Sequence, residues 1–114
     1  MTNYEDEYKY YCSFLNKGFS KSSVRKHNMA MKKLGEMFYK IKDEPQKDFL
    51  LRLLHSDDKE VVSMVASHCL GLGVYLYEAQ NALLDIAHDK NNPLLAFEAE
   101  ATLEVWKKQG YLDF

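Results

Sequence analysis

Hydrophobic residues recur along the chain at spacings of three and four, and short polar or glycine-containing breaks separate the hydrophobic stretches. This period matches one face of an α-helix and differs from the strict alternation of a half-buried β-strand. We therefore predict an all-α fold. Its helices are expected over about 4–17, 21–41, 45–54, 59–70, 75–88 and 93–110.

The residue types at the breaks indicate where helices begin and end. Gly18 follows the first stretch as a C′ residue, and Ser20 to Ser23 offer N-caps for the second. Asp43-Glu44-Pro45 predicts a cap followed by a first-turn proline, so that the third helix begins at Pro45. The last helix is expected to have Pro93 in its first turn and to end at Gly110.

Two helix pairs align without a gap when the chain is shifted by 33 positions, which places Leu53 on Ile86 and Leu70 on Leu103. A weaker copy appears at a shift of 36. A helix-turn-helix unit repeated at this period predicts an α-solenoid, because neighbouring units bury their faces against one another. The predicted fold is one domain over 1–114, built from three stacked antiparallel helix pairs in units of about 4–41, 44–71 and 75–110.

The shared repeat positions define the predicted core. Each unit carries a small residue where packed helices must approach closely: Ala30, Ala66 and Ala99. Trp106 continues an apolar stripe and is expected in the core, whereas the tyrosines of the first helix are either interface anchors or covers for the end of the stack: Tyr4, Tyr8, Tyr10 and Tyr11. Nine residues are expected to be buried: Leu50, Leu53, Val62, Ala66, Leu70, Leu83, Ile86, Ala99 and Leu103.

Residues Asp57 to Ala66, together with Leu70, place a polar turn before a helix with β-branched, alanine and leucine positions. Over about 45–110 the chain resembles the HEAT-repeat family, in which a polar turn precedes a second helix of this kind. The last unit, Leu94 to Leu103, is similar to the closing unit of small bacterial HEAT-like domains, some of which serve as immunity proteins. The resemblance implies fold more than function. An arginine is common in the family where this chain has Val62, so the family's stacking polar contact is not expected there.

The charge and composition of the chain exclude some classes of binding partner. The net charge is −2, with 15 basic and 17 acidic residues, so no broad cationic surface is available to neutralise phosphates. We expect no direct binding to nucleic acid. The N-terminus is acidic, and no run approaches the roughly 18 apolar residues of a membrane span, which predicts a cytoplasmic protein that does not contact the membrane. Cys12 and Cys69 are 57 positions apart and are expected to be reduced thiols.

Candidate chemistry is sparse. The chain has no His-Glu dipeptide of the kind that holds iron in HEAT-like enzymes, and no further ligands converge on its four histidines. His55 and His88 occupy one repeat position at the end of a first helix, where an imidazole is expected to cap carbonyl groups. Neither an activated nucleophile nor a glycine-rich phosphate loop is present. We therefore expect no enzymatic activity, no metal, no cofactor and no small-molecule ligand.

The second helices of a stack present one face, and the repeat offset predicts which residues lie on it. Ser63 and Ser67 correspond to Ala96 and Glu100 one unit on, and to His27 and Met31 one unit back. The predicted strip has small residues at its centre and acidic residues towards the C-terminal unit. Such a surface suits a protruding basic loop of a partner protein. Repulsion between carboxylates four residues apart fits a cationic partner, although a solvated helix face explains it equally well. The candidate partner-binding residues are Ser63, Ser67, Glu98, Glu100 and Glu104.

Two classes of function remain open. The first is an immunity protein that neutralises a bacterial toxin by occluding its active site or substrate groove. The mild acidity of the chain then favours a basic toxin domain, for which a nuclease is the leading candidate. The second is a general HEAT-like interaction module, such as an adaptor or a regulatory subunit.

Overall fold

A computed structural model describes residues 3–112 and residue 114. Within them the chain forms six α-helices and no β-strand, so the predicted all-α class is confirmed. The helices are α1 (Tyr4–Cys12), α2 (Lys21–Lys42), α3 (Asp48–Leu53), α4 (Lys59–Leu72), α5 (Leu76–Ala87) and α6 (Pro93–Gln109). Helix α4 lies at the centre and packs against α1, α3, α5 and α6.

Several helix ends follow from the residue types at those positions. The Ser20 side chain accepts a hydrogen bond from the backbone N–H of Ser23 and so satisfies one of the free donors at the start of α2. Pro93 occupies the first turn of α6. Gly73 and Gly110 end α4 and α6 with φ angles of 75° and 79°, which glycine adopts without a steric penalty.

The first helix is shorter than predicted. It ends at Cys12, and the backbone N–H groups of Phe14 and Leu15 then bond to carbonyls three residues back, which tightens the chain into turns. These turns direct Leu15 into the core, where it is 3% exposed. Gly18, with φ of 129°, lies in the loop before α2, so its prediction as the C′ residue of the first helix is wrong.

The third helix begins at Asp48 and not at Pro45, so the predicted cap at residues 43–45 is also wrong. Tertiary contacts hold the segment before α3 outside the helix. The Tyr4 hydroxyl donates to Oε1 of Glu44 at 3.2 Å, and the Lys47 ammonium donates to the Glu44 carbonyl. The preceding chain is therefore tied to α1 and does not continue into α3.

The nine predicted core residues are all buried, with exposures between 0% and 8%. The three small residues Ala30, Ala66 and Ala99 are fully buried, as their expected role at helix crossings requires. Trp106 packs against the edge of the core. Tyr8 is also fully buried, whereas Tyr10 is 59% exposed, so α1 contributes both to the core and to the surface.

A buried polar contact joins α1 to α4. The Tyr8 hydroxyl lies 2.5 Å from Nδ1 of His68, and both side chains are fully buried. Nε2 of His68 has no hydrogen-bonding partner among the described residues, and the rings of Phe114 and Phe38 pack edge to face on the imidazole at 4.7 and 5.3 Å. Burial lowers the pKa of His68 to about 3, so its neutral form is the one that the fold accommodates.

Both cysteines are buried and free of disulfides. Burial raises the pKa of Cys12 and of Cys69 to about 12. Since the thiolate is the reactive form of cysteine, neither side chain is an activated nucleophile in this environment.

Candidate functional site

A groove of about 430 Å³ lies between the turn that follows α1 and the helices α2, α4 and α6. We call it the central groove. Polar side chains line part of it: Asn16, His27, Glu60, Ser63, Ser67, Glu98 and Thr102. Apolar side chains line the remainder: Leu15, Met31, Met64, Phe97, Ala101, Val105, Leu112 and Phe114. A concave, mostly apolar surface with a few converging polar groups is the usual form of a binding site.

Hydrogen bonds from Asn16 build the polar end of the groove. Asn16 has a φ of 57°, a left-handed conformation that asparagine tolerates better than most residues. Its backbone N–H donates to Nδ1 of His27 at 3.2 Å, and its side-chain amide donates to Oε1 of Glu60, also at 3.2 Å. One residue in a turn therefore connects α2 and α4 at this corner.

The carboxyl group of Glu60 is in an unfavourable position for a negative charge. Its pKa is raised, chiefly because the side chain is partly buried, and the nearby carboxylates of Glu98 and Asp58 add to the shift. The hydrogen bond from Asn16 and the charge of Lys17 lower the pKa and so offset part of this shift. Neither Glu60 nor Glu98 forms a salt bridge within the described part of the chain. A cation placed between them would relieve the repulsion.

Ser63 and Ser67 do not lie at exposed positions, contrary to the predicted strip, because each is only 9% exposed. The Ser67 hydroxyl donates to the carbonyl of Ser63 at 2.9 Å. The Ser63 hydroxyl has no hydrogen-bonding partner among the described residues, although Ser63 lines the central groove. Ser63 therefore offers the groove a free donor and acceptor.

The five candidate partner-binding residues fall on two sides of α6. Ser63, Ser67 and Glu98 line the central groove together. Glu100 and Glu104 instead line a smaller depression between α5 and α6. The repeat alignment correctly predicted that His27 and Met31 lie on the same surface as Ser63 and Ser67. For α6 it predicted the wrong face, because Glu100 points away from the groove and Glu98 lines it.

The apolar residues that α6 contributes to the groove were missed by sequence reasoning. Phe97, Ala101 and Val105 follow a spacing of four, directly beside the buried stripe of Leu95 and Ala99. Phe97 is 70% exposed and Val105 is 44% exposed. The sequence contained a signal for these residues, because α6 has more apolar positions than its core-facing stripe requires. The additional positions form a second apolar face.

Three further features were considered in the described residues: metal-binding clusters, the histidine caps and membrane-spanning helices. Among the described residues, no group of three or more His, Cys, Asp or Glu side chains is placed to hold a metal ion. His55 and His88 are exposed, and neither imidazole forms a hydrogen bond with a described carbonyl, so their predicted capping role is wrong. None of the described helices combines the length and apolar character needed to cross a membrane.

No protein-family model, curated protein or solved structure matches this chain with significant similarity.

Proposed function

We propose that the protein is a cytoplasmic immunity protein that binds a basic toxin domain, a nuclease above all, and covers its active site or substrate groove. The proposal includes a HEAT-like stack of the three helix pairs α1–α2, α3–α4 and α5–α6. Contacts within each pair and the burial of the equivalent repeat positions support that arrangement.

The composition of α6 is the observation that carries the functional proposal. The helix exposes Phe97 and Leu94 by 70% and 55%, although its core-facing stripe is already buried. Exposed apolar residues of this size, bordered by polar ones, are typical of protein-binding surfaces. The border here is acidic: Glu98, Glu100 and Glu104.

Charge complementarity favours a basic partner. A nuclease must hold a polyanionic substrate, so its substrate groove carries Lys and Arg side chains. Glu98 on one side of α6 and Glu100 and Glu104 on the other place negative charge beside its exposed apolar residues, which speeds association and opposes release. Helix α6 carries three carboxylates, Glu98, Glu100 and Glu104, ahead of the lysines in its last turn, so this part of the surface is acidic although the overall charge is only −2.

A protection assay tests the proposal. Genomic fragments from the source cell would be screened for those that kill when expressed alone and are tolerated when this chain is co-expressed. We expect such a fragment to encode a basic domain, and its purified form to bind this protein in isothermal titration calorimetry. Failure to recover any protected toxic fragment would contradict the immunity role, and capture of several unrelated non-toxic partners would favour an adaptor.

Charge reversal would locate the surface. Glu100→Lys with Glu104→Lys is expected to weaken binding of the toxin domain by about tenfold or more, to slow association and to flatten its salt dependence. Glu36→Lys on α2 is the matched control, because Glu36 is also exposed and changes the charge by the same amount per residue. Unchanged melting temperatures would confirm that both variants fold. Equal affinities for the double variant and the wild type would exclude this part of α6 from the interface.

A further inference from the structure

The central groove is polar at one end and apolar at the other. Glu60 and Glu98 influence each other electrostatically at the end where α4 and α6 begin. Seven residues further along α4, Ser67 lines the groove with Val105 and Phe114. With a rise of about 1.5 Å per helical residue, the two ends are separated by about 10 Å, the length of roughly three residues of extended chain.

The polar end has no salt bridge among the described residues, and the charge of Lys17 only partly offsets its negative charge. Its hydrogen bonds from Asn16 engage one oxygen of Glu60 and Nδ1 of His27, and Glu98 has no salt bridge among the described residues. Independently, Ser63 is 9% exposed, its hydroxyl has no hydrogen-bonding partner among the described residues, and it lines the groove together with these carboxylates. Two carboxylates and a free hydroxyl form a suitable environment for an ammonium or guanidinium group.

The apolar part of the groove favours a ligand that also carries an apolar group. Met31 and Val105 are each 44% exposed, so apolar surface remains open to an incoming apolar side chain. Burying a large aliphatic or aromatic group there is favourable by about 1.5–3 kcal/mol when the burial is complete. The occupant therefore needs both a cation and an apolar group, held about 10 Å apart.

We propose that the central groove binds an extended segment of the partner protein in which a lysine or arginine is followed, two to four residues away, by a bulky apolar side chain. The basic side chain lies between Glu60 and Glu98 and bonds to the Ser63 hydroxyl. The apolar side chain packs on Met31 and Val105. This inference rests on the proposed protein-binding function and names the chemistry of the segment that inserts.

Peptide display tests the inference without the natural partner. A phage library of random dodecapeptides would be selected on the full-length protein, and synthetic peptides from it would be titrated by calorimetry. We expect enrichment of a basic residue two to four positions from a large apolar residue. Selected peptides without this pairing would overturn the inference, whereas the immunity role would still be judged by the protection assay alone.

Matched variants locate the bound peptide. Glu60→Gln with Glu98→Gln is expected to weaken a selected peptide about fivefold or more, whereas Glu36→Gln with Glu78→Gln, at exposed positions outside the groove, leaves its affinity unchanged. Val105→Ala is expected to weaken it about fivefold, and Val24→Ala, a valine of similar exposure on α2 outside the groove lining, to have little effect. The substituted positions other than Glu60 are all exposed, so substitutions there should not unfold the protein.

Two further outcomes would exclude the segment as the occupant. Spermidine, which carries charges on an aliphatic chain, is expected to bind at least tenfold more weakly than the peptide, because it lacks a bulky apolar group. Equal affinity would assign the groove to a small polycation. Sedimentation velocity is expected to give a monomer, and a dimer that Phe97→Ala dissociates would assign the groove to a second copy of the chain.

Discussion

Helices α4 and α6 occupy equivalent positions in the 33-residue repeat, but they have very different surroundings. In α4, nine residues are buried, including Ser63, Ser67 and His68. In α6, only Leu95, Ala99 and Leu103 are buried. The shared apolar stripe is buried in both helices. Outside that stripe, the residues of α4 are largely buried and those of α6 are largely exposed.

The difference arises from the number of neighbours. Helix α4 packs against α1, α3, α5 and α6, so groups on several of its faces are removed from water. Helix α6 contacts α5 and α4, and its remaining faces are free. A repeat pattern thus specifies the face that every unit buries, while the position of the unit in the fold decides which other faces are available for binding. Three substitutions at equivalent positions test this comparison.

The largest effect is expected from truncating the shared stripe. Leu70→Ala and Leu103→Ala should each lower the free energy of unfolding by about 2–5 kcal/mol, because both side chains are at least 95% buried. The loss should be greater at Leu70, which is enclosed on more sides. Urea unfolding followed by circular dichroism measures both. Leu94→Ala, at a position 55% exposed, is the control and should remain within about 0.5 kcal/mol. An unchanged stability at Leu70 would show that the repeat register is wrong.

The second test compares His68 with its repeat equivalent, Ala101. His68→Ala should cost about 3 kcal/mol, because it opens a cavity and leaves the hydroxyl of Tyr8 unpaired in the core. At Ala101, which lines the groove, substitution by Ser should change stability by less than about 0.5 kcal/mol. Comparable losses at both positions would contradict the view that α4 alone is enclosed.

The same histidine makes stability depend on pH. Its pKa is about 3 in the folded protein, below its ordinary value of about 6.5 when unfolded. The unfolded chain therefore binds a proton that the folded chain excludes, so stability is fully present above about pH 6.5 and declines as pH falls towards 3. Unfolding measured between pH 7 and pH 5 should show a shallower decline in His68→Gln than in the wild type. Parallel curves would mean that His68 takes up a proton in the folded state.

The smallest effect is expected at Gly71, which aligns with Glu104. A Cβ atom at Gly71 would lie 2.9 Å from the rings of both Phe38 and Phe114. We expect Gly71→Ala to destabilise by about 1 kcal/mol, since overpacking outweighs the gain in helix propensity. Gly35→Ala on α2 is the matched control. There the nearest atom is 3.7 Å away, so stability should rise by about 0.5–1 kcal/mol. Thermal unfolding of the two variants should therefore shift in opposite directions.

The sequence by itself determined the helical class, several helix ends and the core stripe. Ser20, Pro93 and Gly110 act through neighbouring backbone groups, so their effects can be predicted from a few adjacent residues. The alignment of Leu70 with Leu103 identified buried positions because helical period and burial are directly linked. The errors at Gly18 and Pro45 occurred in segments that bond to distant residues, through Asn16 to His27 and Glu60 and through Glu44 to Tyr4.

Only the tertiary structure decided which faces meet. The rotation of α6 against α4 places Phe97 and Glu98 beside Ser63 and turns Glu100 away. The pairing of Tyr8 with His68 joins residues 60 positions apart and has no local signature. Periodicity describes one helix at a time, whereas a groove or a buried hydrogen bond depends on the angles and rotations with which several helices pack.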